Sequence, residues 1–375
     1  MKRHIFLYGF SIFSMFFGSG NLVFPLMVGV NNADNWFAGF LGFFLTGIIL
    51  PFLGLFVIKL HQGNYTSFFA EAGSIAKIII PLFTLSLLGS FGVIPRCITV
   101  AHGGLEFLSY DISLLAFSII FCTSCFIICL NDKWMFTILG KFLTPILLLL
   151  LVILITVGVY NAQELEENSA FFSNNLLDGF FRGYATMDLF AAFFFSSLIF
   201  KQIEALVDKT EGKSIIKVAL GPSIFGAGLL GVIYLGFVYL GSHYGFLAEN
   251  LPAELILPAI ANHVLGTKGA LIIAIIIIFS CLTTAVALNS IYARYLCSFK
   301  MIGENRFPII LLATTTLAFA ISLLDFNGIA LMLEPLLDIS YPGLIVLTIL
   351  SICTKRFKII KMVSFYGIIM LMIVL

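Results

Sequence analysis

Two short segments of this chain combine residues that weaken a helix with residues that can bind charge. The first, Gly18-Ser19-Gly20-Asn21, sets two glycines and an amide within four residues, with Pro25 four residues beyond. The second, Gly183-Tyr184-Ala185-Thr186-Met187-Asp188, ends in a carboxylate placed inside an otherwise apolar stretch. Glycine costs a helix interior about 1 kcal/mol relative to alanine, and proline about 3 kcal/mol. A helix interrupted there leaves N–H groups free at one half-helix end and C=O groups free at the other. The N–H end, at the positive pole of the helix dipole, suits a carboxylate; the C=O end suits an ammonium or a metal cation. Together the two breaks have the chemistry to hold a zwitterion. Taken singly, either segment is also explained by small residues at a helix crossing, which is common in membranes.

The elements that must position these segments follow from composition. The chain has 375 residues, of which 61% are hydrophobic and only 10% charged, and its mean hydropathy is +1.12. A soluble domain carries about 25% charged residues, so this chain has too little polar surface to cover itself in water. A cytosolic enzyme, a secreted disulfide scaffold, a nucleic-acid binder and a disordered chain are all excluded. A polytopic membrane protein remains, and its near-neutral net charge of +1 says little by itself.

A spanning helix needs about 20 apolar residues, and cutting at polar clusters predicts spans near 5–30, 37–58, 78–100, 112–130, 142–160, 181–200, 218–241, 269–293, 308–324 and 329–354. The last apolar run, 362–375, reaches only about 21 Å at helical rise, so a partial eleventh helix is expected there. The runs are continuously apolar, which excludes the alternating strands of an outer-membrane barrel. Ile5 to Ala33 contains no Asp, Glu, Lys or Arg, so the N-terminal run is too long for a cleaved signal and reads as the first span. With the N-terminus cytoplasmic and sides alternating, all of the 20 basic residues except Arg96, Arg182 and Lys268 fall at cytoplasmic span ends.

Spans one to five (5–160) and six to ten (181–354) form two halves of a single membrane domain over 1–375. Each half has an odd number of spans, so the second enters the membrane from the opposite side, an inverted repeat typical of transporters. The two weak segments lead their respective halves. Gly18 lies about 20 Å past Ile5 at helical rise, near mid-membrane. Phe193, Phe194 and Phe195 are candidates to line a pocket for an apolar side chain. Cys122, Cys125 and Cys129 share a helix face at i, i+3, i+7 and read as buried thiols, since structural zinc needs four converging ligands. No disulfide framework is implied, and no histidine shows metal spacing.

Phe17-Gly18-Ser19-Gly20-Asn21-Leu22-Val23-Phe24-Pro25-Leu26-Met27-Val28-Gly29 resembles the first-helix signature of the branched-chain amino acid:cation symporters, also called branched-chain amino acid transport system II carrier proteins. The resemblance continues at Pro95-Arg96, at Gly179 through Asp188, at Cys281-Leu282-Thr283-Thr284-Ala285-Val286 and at Tyr341-Pro342, and covers nearly the whole chain in order. It implies an all-α polytopic membrane protein with a leucine-transporter-like 5+5 inverted repeat and discontinuous helices one and six. It implies uptake of leucine, isoleucine and valine across the bacterial cytoplasmic (inner) membrane, coupled to Na+ or H+. It also implies that Gly18, Ser19, Gly20 and Asn21, with Tyr184, Ala185, Thr186 and Asp188, hold the main-chain groups of the substrate. In the wider fold a sodium ion sits between the break in helix one and helix eight. Matching that arrangement onto this chain puts carbonyls of Ser14, Phe17 and Ser280 and hydroxyls of Thr283 and Thr284 around the ion. The alternative for Thr283 and Thr284 is hydroxyls bonded back to the preceding turn. The implied partners are the amino-acid substrate and membrane lipid, with no cofactor beyond the coupling ion, no nucleic acid and no obligate protein partner. Members of the family usually have twelve spans, whereas this chain stops within the eleventh; the ten-helix core is complete.

The remaining intramembrane charges differ in cost and in what they can do. A carboxylate at a helix centre costs about 2.5–3.5 kcal/mol on insertion scales, so Asp188 is expected to bind the substrate amine or couple protons, against a structural pairing with a basic residue. Arg96 lies about 28 Å past Lys77 along a helix and can snorkel to the outer interface. Glu334 and Asp338, four apart, share one face of span ten; a proton relay, a cation path and a passive vestibule lining all stay open. Glu164, Glu166 and Glu167 read as a solvated outer loop. The competing functions are an intramembrane aspartyl hydrolase pairing Asp188 with Asp338, which needs two carboxylates sharing a proton, and a passive channel or nutrient sensor. No G-x-x-x-x-G-K-[ST] nucleotide loop occurs.

Overall fold

The computed structural model describes residues 2–108, 112–131, 143–162, 172–206, 215–299, 303–354 and 357–374. Among the described residues the chain is helical throughout. In order, the helices are α1 (Lys2–Phe16), α2 (Ser19–Asn32), α3 (Trp36–Phe44), α4 (Leu50–Leu60), α5 (Tyr65–Phe69), α6 (Ala76–Leu88), α7 (Val93–Glu106) and α8 (Leu114–Cys129). They continue as α9 (Leu143–Tyr160), α10 (Phe172–Ala185), α11 (Asp188–Leu206), α12 (Ile215–His243), α13 (Ile256–Cys297), α14 (Phe307–Ser322), α15 (Asp325–Cys353) and α16 (Lys358–Val374).

Six of the described helical stretches are each long and apolar enough to cross a membrane, and the bent pair α10 and α11 makes a seventh. One stretch, Ser19–Leu60, has 42 residues, which at helical rise is about 63 Å, twice a hydrocarbon core. It turns back at Ala33–Asn35, where Ala33 has φ +40°, and α2 then lies beside α3. The 42-residue α13 is kinked at Gly266, φ +71°.

Three breaks interrupt spans. Two were expected: residues 17–18 between α1 and α2, and 186–187 between α10 and α11. The third separates α6 from α7 at 89–92, inside the predicted span 78–100, where Gly89 and Gly92 bracket Ser90 and Phe91. The sixth span also differs from its predicted start at 181. Its helix begins at Phe172, so the break falls inside the span and not at its edge. The cause is Arg182, whose charge marked a boundary in the sequence. In the fold its Nε donates to Asp178 one turn earlier at 2.9 Å, so this charge is neutralised within the helix.

Glycines let these helices touch backbone to backbone. A Cβ on Gly42 would lie 1.9 Å from the Leu176 carbonyl, and one on Gly179 would lie 1.9 Å from that of Gly39. This contact locks α3 against α10. Gly29 and Gly241 do the same for α2 against α12, with Cβ positions 2.0 and 2.2 Å from the Val238 and Leu26 carbonyls. The spans broken at 17–18 and at 186–187 are thereby each held against a neighbouring helix. Six of the seven cysteines are buried thiols, and Cys353 is exposed. Phe193 packs on Phe68 and Phe69, Phe194 on Tyr65 and Phe69, and Phe195 on Phe16. These three rings therefore pack α11 against its neighbours. Glu164, Glu166, Glu167 and several basic residues, among them Lys133, Lys141, Lys209, Lys213, Lys300, Lys355 and Arg356, lie outside the described residues.

Helix α16 is held by a charge cluster around Glu71, in the turn Ala70–Ala72. Its Oε1 lies 3.0 Å from His61 Nε2. Its Oε2 accepts from Ser351 Oγ and from the buried Lys361 Nζ, both at 2.5 Å. Burial pushes the Glu71 carboxyl up, but hydrogen bonds from His61, Lys361 and Ser351 outweigh it and hold the pKa at about 2. Burial pulls His61 down, and its bonds to Glu71 and the Val57 carbonyl outweigh that and raise it. The depressed Glu71 contributes stability above its ordinary 4.5 and loses it as pH falls towards 2. The raised His61 contributes below its ordinary 6.5 and loses it as pH rises through the elevated folded value. Docking of α16 is therefore expected to be tightest between 4.5 and 6.5. Hydrogen–deuterium exchange of the α16 amides, corrected for intrinsic rates, should be slowest in that window and quicken as pH rises through the elevated His61 value. A corrected rate that stays flat over this range refutes the coupling.

Candidate functional site

The first break is made by local backbone chemistry. Gly18 is extended (φ −116°, ψ −161°) and precedes the first residue of α2. Its N–H donates to the Phe16 carbonyl at 2.8 Å and also meets Asn21 Oδ1 at 3.2 Å. Asn21 thus caps its own helix from within, and the N–H groups of Ser19, Gly20 and Asn21 open the first turn without intrahelical acceptors. At the second break Met187 has φ +61° and turns the chain by 45° between α10 and α11. Thr186 Oγ1 donates to the Gly183 carbonyl at 2.8 Å and accepts from the Asp188 N–H at 3.3 Å. A single hydroxyl so links the end of one half-helix to the start of the next.

The two breaks face each other. Asn21 Nδ2 donates to Asp188 Oδ2 at 2.5 Å and also to Tyr234 Oη on α12. Both amide protons and the amide oxygen of Asn21 are in use. A Cβ on Gly20 would lie 3.2 Å from Thr186 Cα, so only glycine allows this approach without displacing the other break. Asp188, 4% exposed, is buried between them.

The third break brings in a charge that was expected at the outer interface. Arg96 lies in the first turn of α7, one helical turn past residues 89–92, and is 1% exposed. Its Nη1 donates to the Ala185 carbonyl, the last residue of α10, at 2.7 Å. The guanidinium carbon lies 5.5 Å from the Phe24 ring centroid on α2. Its Nε and Nη2 are buried without a partner. From α15, the buried Tyr341 stacks on Tyr184 at 4.7 Å and meets Phe190 at 4.6 Å; its hydroxyl also has no partner. Arg96 does not snorkel, because the break in span three ends the straight helix on which that expectation depended.

Helix α13 approaches the first break from the other side. Ser280 Oγ donates to the Phe17 carbonyl at 2.8 Å. Thr283 Oγ1 donates to the Ser280 carbonyl at 2.7 Å, the back-bonded arrangement open to such residues. Thr284 Oγ1 is buried with no partner, 3.1 Å from where a Cβ on Gly18 would stand. Ser14 is half-buried on α1, one turn before Phe17.

The structure therefore gathers Gly18, Ser19, Gly20 and Asn21 with Thr186 and Asp188, and brings Tyr184 and Ala185 in through Tyr341 and Arg96. Sequence reasoning passed over Tyr234, gave Tyr341 no role beyond the resemblance, and offered Arg96 an interfacial place that its burial rules out. The available signal was the pair of dipeptides Pro95-Arg96 and Tyr341-Pro342, each a polar side chain beside a proline within a span. Glu334 and Asp338 are exposed on α15, and no hydrogen bond joins Asp338 to Asp188 among the described residues. The shared-proton dyad of the hydrolase reading is not formed.

A sequence model of the family described as "Branched-chain amino acid transport protein" matches residues 1–375. The chain belongs to this family. It is similar to the branched-chain amino acid permease BrnQ of Corynebacterium glutamicum, 26% identical over 369 residues, covering 98% of this chain and 85% of the permease. Among solved structures, MhsT in complex with L-phenylalanine superposes with a TM-score of 0.59 at 14% identity, covering 98% of this chain and 97% of that one. A Na+-coupled sialic acid symporter in a substrate-bound outward-open state gives 0.61 at 10% identity, covering 98% and 88%. These are transporters of the leucine-transporter fold, and the chain has that all-α fold. The family is one of transport proteins, so this branched-chain amino acid transport protein is a transporter and not an enzyme.

Proposed function

We propose that this chain imports leucine, isoleucine and valine by cation-coupled symport with alternating access. The observation that carries this reading is the Asn21–Asp188 hydrogen bond joining two interrupted helices at a buried, polar point in an apolar bundle. Free N–H groups of α2 and a buried carboxylate offer partners to both ends of an amino acid, and the apolar surroundings suit a branched side chain. The main-chain groups fall to Gly18, Ser19, Gly20, Asn21, Tyr184, Ala185, Thr186 and Asp188.

The coupling ion is proposed to be Na+, with H+ as the alternative. Thr284 Oγ1, buried and without a partner beside Gly18, is the observation that fits a cation between α1 and α13. Carbonyls of Ser14, Phe17 and Ser280 and hydroxyls of Thr283 and Thr284 would hold it, since a hard cation takes oxygen ligands. The proposed setting is a bacterial cytoplasmic membrane with the N-terminus cytoplasmic, lipid around the bundle and no obligate protein partner.

The test is uptake of labelled leucine, isoleucine and valine into proteoliposomes under an imposed Na+ or H+ gradient. Concentrative uptake driven by the Na+ gradient is expected. Uptake driven only by H+ replaces the ion assignment; equilibration without concentration favours the channel or sensor reading; no uptake of any of the three ends the carrier reading.

A further inference from the structure

We propose that Arg96 joins the free N–H groups of α2 as a carboxylate ligand of the substrate site, its Nε and Nη2 forming a planar fork for the α-carboxylate of the bound amino acid. The inference rests on the carrier reading above and deepens it. A guanidinium stays charged even when buried, so Arg96 brings a permanent cation to the meeting point of three helix breaks. Only Nη1 has an acceptor, the Ala185 carbonyl at 2.7 Å. That bond, with the Phe24 ring 5.5 Å away, fixes the plane of the group. Nε and Nη2 share the other edge of the guanidinium, are buried, and have no partner. Two parallel donors on one edge match the two oxygens of a carboxylate.

The surroundings agree with this role. Tyr341 Oη, buried and unpartnered, is held by Tyr184 and Phe190 at the second break and offers another donor. Arg96 reaches Ala185, three residues before Asp188 across the second break, while Asp188 Oδ2 is taken by Asn21 and no hydrogen bond joins Arg96 to Asp188. A zwitterion with its carboxylate towards Arg96 and its ammonium towards Asp188 neutralises both. A helix-capping role alone uses a single N–H on Ala185 and leaves the free edge unexplained.

The experiment compares leucine with leucinol, which keeps the side chain and amine and lacks the carboxylate, as ligands of the purified full chain. Affinities are read from ligand-induced thermal stabilisation. The wild type should prefer leucine by about 10- to 100-fold, the range of a charge-assisted hydrogen-bonded pair. In Arg96→Gln that preference should collapse towards one, with leucinol within about threefold of its wild-type affinity, because a lost carboxylate contact leaves the amine and side-chain contacts intact. A parallel loss of both ligands, or an unchanged preference, overturns the assignment. If Arg96→Gln does not fold, Arg96→Lys serves: a single ammonium cannot reproduce the fork, so the preference should again shrink with leucinol unaffected. A wild-type chain that binds none of leucine, isoleucine and valine defeats the carrier reading itself, a result distinct from any behaviour of the variants.

Discussion

Asp188→Asn is expected to lower leucine uptake at subsaturating substrate by about two to four orders of magnitude, since stripping the charge from a buried ion pair costs about 3–5 kcal/mol. The substitution is nearly isosteric. The new amide oxygen can still accept from Asn21 Nδ2, which now donates to Asp188 Oδ2 at 2.5 Å, and the N–H at residue 188 still meets Thr186 Oγ1. The two breaks therefore stay joined while the negative charge is gone. What the variant lacks is a counter-charge for a substrate ammonium. The measurement is initial uptake rate in proteoliposomes, with elution volume and melting temperature as controls on folding. Uptake within about threefold of wild type, in a variant that folds normally, removes Asp188 from substrate binding and leaves it a structural bridge.

Thr284→Ala should raise the sodium concentration needed for half-maximal uptake by about tenfold or more, while leaving the leucine affinity at saturating sodium nearly unchanged. Thr284 Oγ1 is buried without a partner and faces the first break at Gly18. Removing it takes one oxygen from a hard cation and breaks no existing hydrogen bond. The contrast with Thr283 sharpens the test. Thr283 Oγ1 already donates to the Ser280 carbonyl at 2.7 Å, so Thr283→Ala also frees that carbonyl, and its effect mixes binding with local stability. Thr284→Ser, which restores the oxygen, should recover the wild-type sodium dependence. A sodium titration unmoved by Thr284→Ala takes this residue out of the ion site.

The arrangement around Asp188 shows why some of the site was legible in the sequence and some was not. Gly18 to Asn21 and Gly183 to Asp188 carry their own evidence, because two glycines and an amide, or a lone carboxylate, are costly in an apolar helix whatever surrounds them. The break at 89–92 left a weaker trace. Gly89, Ser90 and Gly92 are ordinary small residues in a membrane helix, and nothing local says that the helix ends there and restarts at Val93. That single omission misplaced Arg96 by treating span three as a straight rod. The sixth span was cut short for a related reason. Arg182 read as a boundary because its partner, Asp178, counts as another charge until the helix brings the two within 2.9 Å.

Composition and residue type alone were enough to read an all-helical membrane protein and two weak points, at Gly18–Asn21 and Gly183–Asp188. Each of these depends on composition and on the cost of particular residues in hydrocarbon, and such costs are local. Which groups meet was set by folding: Asn21 with Asp188 and Tyr234, Arg96 with Ala185, Thr284 with the break at Gly18. Those meetings depend on how closely helix backbones approach, at Gly20, Gly42 and Gly179 among others. They depend also on where a helix stops, and both are properties of packing between segments far apart in the chain.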